Sequence, residues 1–162
     1  MSFVLSQAGR SFFRGIIAPP KFLMFDAYYC CLMAGLNARK VGASDELDSD
    51  PFINSYPDDF KGQGDIIAGL LIDAELDRKG INAEDRTSIE REMVKLVDPT
   101  SATRLNTEGN KLLNLYAAAG FSILQDKMMP PSTIEEFLVA YHGFWHVDAS
   151  DASAGPESAQ SA

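Results

Sequence analysis

The chain is short of the residues that usually reveal chemistry. Its 162 residues include two cysteines, two histidines and one tryptophan. Cys30 and Cys31 are adjacent, with no CxxC spacing and no histidine nearby in sequence. Neighbouring side chains on a helix point in different directions, so the pair reads as two small core hydrophobes in a reducing, cytoplasmic setting. The serines show no GxSxG or SxxK arrangement. The segment GQGDIIAG at 62–69 has two glycines before a helix, but it lacks the dinucleotide fingerprint and the GK[ST] of a phosphate loop. Asp65 would also place negative charge where a phosphate must sit. No cofactor is therefore expected.

Long apolar runs are scarce too. The longest, residues 22–36, contains Asp26 and falls short of the roughly 20 residues that a membrane span needs. Near the start, Phe3, Val4 and Leu5 are soon followed by Arg10, which argues against a secretory signal.

Cations are missing from two stretches. Residues 44–60 carry Asp45, Glu46, Asp48, Asp50, Asp58 and Asp59 with no Lys or Arg, and none occurs from Pro130 onward. The net charge of −9 opposes nucleic-acid binding by bulk electrostatics. The head is the exception, since Arg10, Arg14, Lys21, Arg39 and Lys40 face only Asp26 within residues 1–41. With Phe12 and Phe13 interleaved, these five cations are the candidate nucleic-acid contacts.

What remains is helical. Apolar residues make up 46% of the chain, enough for one core, and nothing alternates convincingly at period two. The expected fold is all-α: a compact bundle of about five helices around a central apolar helix. Residues 1–147 form one domain, and the acidic tail at 148–162 is expected to be disordered. Residues 1–18 read as a lead segment with weak helical character, ended by Pro19-Pro20. The central helix is placed at about 21–38, apolar nearly all round, with Asp26 explained by its first-turn position. Residues 41–60 read as an acidic surface loop.

A second helix at about 63–79 carries Ile66, Ile67, Leu70, Leu71 and Ala74 as one stripe, with Gly80 as its C-cap. Asp73, Glu75 and Asp77 read as a solvated acidic face rather than a cation site. A third helix begins after Asn82 and stops at Asp98-Pro99, its Glu90, Arg91, Glu92 and Lys95 solvated. A fourth spans about 107–127, where Ala117, Ala118, Ala119 and Gly120 allow a close helix crossing. The fifth opens with a capping box of Ser132 and Glu135 and carries Ile134, Phe137, Leu138, Tyr141, Phe144 and Trp145 on an aromatic face.

Function is read from this inventory. The leading expectation is a non-enzymatic helical adaptor or accessory subunit that binds another protein or a second copy of itself. Its contact residues would be Phe12, Phe13, Tyr141, Phe144 and Trp145. One alternative is a DNA-associated accessory protein of a bacterial genome-maintenance or defence system, using the basic head. Another is a metal-dependent enzyme built on His142 and His146, four apart in HGFWH. That segment lacks the adjacent Glu of a zinc-protease helix, so a further ligand would have to come from Glu135 or Asp148.

Overall fold

The computed structural model describes residues 2–47 and 50–151. Among these, the backbone forms six α-helices and no strand. They are α1 (Gln7–Phe13), α2 (Met24–Ala38), α3 (Gly64–Arg78), α4 (Arg86–Leu96), α5 (Thr107–Lys127) and α6 (Ile134–Asp151). No helix among the described residues is long and apolar enough to cross a membrane.

The extra helix lies in the lead segment. Ser6 caps α1 by accepting from the Gly9 N–H, which supplies the start signal that Gly9 and Gly15 had obscured. Residues 3–5 and α1 are core, not an appendage: Phe3, Leu5, Phe12, Phe13 and Ile16 are all buried. Phe3 exchanges backbone hydrogen bonds with the 52–53 segment. Asn114 of α5 accepts from the Val4 N–H at 3.1 Å and from the Tyr28 hydroxyl at 2.8 Å. The acidic loop is likewise only partly a surface element. Tyr56 is buried, and with Phe52 and Phe60 it extends the aromatic cluster of Phe3, Phe25 and Tyr28.

Asp26 is settled by geometry. Its carboxylate accepts the Leu23 N–H at 2.6 Å, so it caps the first turn of α2. α2 packs along α5, which buries a longer face. The two backbones approach through glycines at Gly35 and Gly120, and Gly42 N–H donates to the Leu115 carbonyl at 2.8 Å.

Several helix ends differ from the sequence expectation. α4 starts later, with Asp85 as its cap, because the Asn82 side chain is used two residues on by the Glu84 N–H. The cap of α6 shifts by one position: Thr133 accepts from the Glu136 N–H, and Glu136 accepts from the Ser132 N–H. α6 also continues to Asp151, into the stretch expected to be tail, while residues 152–162 of that expected disordered tail lie outside the described residues.

Candidate protein-binding cleft and the charge network beneath it

α3 is more apolar than one neighbour can cover. Its inner row of Ile67, Ala68, Leu71, Ile72 and Ala74 is buried, whereas Ile66 is 61% and Leu70 38% exposed. The single stripe read from sequence is thus two rows, and only one faces the core. On α4, Met93 is 43% and Val94 77% exposed.

Between α3 and α4 lies a cleft of about 350 Å³. Ala68, Ile72 and Val97 form its apolar floor, with Met93, Pro99 and the Arg104 stem at the rim. Gly69 keeps it open, because a Cβ built there meets nothing within 4 Å. One side is fixed by the turn after α4. Val97 bridges Leu105, Arg104 takes a left-handed backbone, and its guanidinium reaches Asp65 at 3.1 Å. That ion pair is exposed and orients the rim more than it stabilises the fold.

The angle between α3 and α4 is held from below by charges. Glu75 is 1% exposed and accepts two bonds from the Arg78 guanidinium, at 2.7 and 3.0 Å, and one from the Tyr116 hydroxyl at 2.7 Å. Lys79 then links α3 to α4, reaching Glu92 at 2.6 Å, and Lys95 holds the other Glu92 oxygen at 2.8 Å. Burial pushes the Glu75 carboxyl up. The hydrogen bonds from Arg78 and Tyr116 and the charges of Arg78 and Lys79 outweigh it, leaving the group below its ordinary value. Hydrogen bonds from Lys79 and Lys95 hold Glu92 below its ordinary value as well. Neither glutamate is part of a solvated face, as the charge pattern had suggested. Glu75 continues the buried row of Ile67 and Leu71 at intervals of four, and that spacing is the signal that marks it.

The residues singled out from sequence are dispersed. Phe12 and Phe13 are consumed by core contacts with Phe121 and Phe137, so they present no contact surface. Phe144 is also buried, while Tyr141 and Trp145 are half-buried and pack edge to face. Among the five basic positions, the Arg39 guanidinium is spent on Asp73 and Asp77, at 2.7 and 3.0 Å, and on the Leu36 carbonyl. Arg10 donates to the carbonyls of Leu5 and Asp50. Arg14, Lys21 and Lys40 are exposed. The same ion pairs place Asp73 and Asp77, both largely exposed, beside the end of α2.

His142 and His146 do come together, their Nε2 atoms 2.8 Å apart on the outer face of α6. Among the described residues, no group of three or more His, Cys, Asp or Glu is arranged to hold a metal ion. A catalytic zinc site of the usual kind draws three ligands from the protein, and α6 supplies two here.

The cysteines are set in apolar surroundings. Burial pushes the Cys30 thiol up to about 12 and raises Cys31 strongly as well. Thiolate chemistry at neutral pH is therefore suppressed at both. In the native protein, titration with a disulfide reagent at pH 8 is expected to label neither thiol within minutes, and both on addition of denaturant. Rapid native labelling would contradict this placement.

Comparison places no relative beside this chain. No protein-family model, curated protein or solved structure matches it.

Proposed function

We propose that the protein is a non-enzymatic helical adaptor that docks a partner protein through the α3–α4 cleft. The helices serve as one bundle with α2 near its centre, a rigid carrier for that surface. The observation that carries the reading is the apolar cleft between α3 and α4. Its floor of Ala68, Ile72 and Val97 is already formed, Met93 is 43% exposed at its rim, and Val94 on α4, three residues before Val97, is exposed as well. Isolated exposed apolar residues are ordinary, but a preformed apolar cleft with an exposed apolar rim is what protein contact sites present. The charge network below supports this by fixing the two helices without contributing to the contact surface.

The site permits a clean test because its key position is empty. Gly69→Ala lies in a helix interior with free space around the new methyl group, so it is expected to stabilise the protein by about 0.5–1 kcal/mol. Gly69→Trp fills the cleft, and Val94→Asp charges its edge. Both are expected to keep the melting temperature within a few degrees of wild type. Both are expected to weaken partner binding by more than about 30-fold, the size of a lost interface anchor. Unchanged partner binding by these two variants, with the fold intact, would overturn the cleft as the docking surface. If the captured partner is a second copy of this chain, the same variants convert a dimer to a monomer.

A further inference from the structure

We propose that His142 and His146 form a bidentate surface site for a divalent transition-metal ion of the Cu²⁺ or Ni²⁺ class. The two residues sit one turn apart on α6, and both rings are exposed. Their Nε2 atoms face each other at 2.8 Å, with ring centroids 4.1 Å apart. Two nitrogens bound at about 2.0 Å and at a right angle about one ion are about 2.8 Å apart, whereas a tetrahedral ion would hold them at about 3.3 Å. The observed spacing is therefore that of neighbouring corners in a square-planar or tetragonal site, the geometry that Cu²⁺ and Ni²⁺ prefer.

The chemistry of the contact points the same way. Two imidazole nitrogens at this distance share one proton, with one ring donating and the other accepting. An ion in that position displaces the shared proton and uses the lone pairs of both rings. Toward the start of α6 the next residue of the same row is Leu138, which is no ligand, and among the described residues no third His, Cys, Asp or Glu joins the pair. Bound metal also ties one helical turn to the next near the end of α6.

The test is calorimetric titration of the full chain with NiCl₂ and with CuCl₂ in a non-chelating buffer, repeated on His142→Ala and His146→Ala. Circular dichroism confirms that each exposed substitution leaves the fold intact. The expected result is one ion per chain in the wild type, with affinity at least tenfold weaker in each single variant, because chelation needs both rings. Zn²⁺ is expected to bind more weakly than Cu²⁺. No binding at millimolar metal would overturn the proposal. So would binding that survives either substitution, since the ligands would then lie elsewhere.

Discussion

Gly120→Val is expected to abolish the native fold, and Gly120→Ala to lower the melting temperature by about 10 °C. α2 and α5 cross in direct backbone contact. A Cβ on Gly120 would lie 1.7 Å from the Cys31 carbonyl oxygen, and one on Gly35 would lie 1.9 Å from that of Tyr116. These obstacles are main-chain atoms, so no rotamer change relieves them. The helices must separate, and the packing of Tyr28, Cys31, Leu32, Tyr116 and Ala117 loosens with them. Overpacking in cores commonly costs about 1–3 kcal/mol, and a backbone clash at the main helix contact belongs at or above the top of that range. For a chain of this size, about 3 kcal/mol corresponds to roughly 10 °C. A larger β-branched side chain would consume most of a typical domain's stability of about 5–15 kcal/mol. A thermal melt of Gly120→Ala within about 2 °C of wild type would contradict the crossing.

Removal of the Glu75 carboxylate has the next largest effect. Glu75→Ala leaves the buried Tyr116 hydroxyl without its acceptor and strips Arg78 and Lys79 of their shared partner. The lost charge-assisted hydrogen bonds and the unpaired buried hydroxyl cost about 2–3 kcal/mol, the two cations keeping access to solvent. The same cluster sets an acid limit. Glu75 and Glu92 both have folded-state values below the ordinary 4.5, so the unfolded chain binds protons more readily than the folded one. Their contribution is complete above that ordinary value and is lost as pH falls through the depressed folded values. Chemical denaturation from pH 7 to pH 3 is expected to show stability falling below about pH 4.5, within the range set by those carboxyls. Glu75→Gln keeps much of the shape but cannot titrate, so its acid limb is expected to be shallower. An acid limb as steep in Glu75→Gln as in wild type would assign the loss to other carboxylates.

Most of the helical skeleton was legible because its signals are local. Pro19-Pro20 before α2, Gly80 at the end of α3 and Asp98-Pro99 after α4 each act within a turn or two. What stayed hidden depends on distant neighbours. Ile66 and Leu70 fall beside Ile67 and Leu71, and sequence periodicity merges two adjacent rows into one stripe. Only the packing of α3 against the core decides which row is covered. Phe12 and Phe13 look like free anchors until Phe121 and Phe137, more than a hundred residues away in sequence, close over them. Arg39 reads as a free cation until α3 brings Asp73 and Asp77 alongside it. The missing glycine of the crossing, Gly35, gave no signal of its own. It sits in an apolar helix where only the facing backbone of α5 requires the absence of a side chain.

The most direct measurement is affinity purification of the tagged wild-type protein and Gly69→Trp from their native cells, with nuclease treatment and mass spectrometry. The account predicts a reproducible partner that survives nuclease in the wild type and is absent from the variant. A wild-type protein recovered alone, a partner lost on nuclease treatment, or one retained in full by Gly69→Trp would contradict the α3–α4 cleft as the site where this protein works.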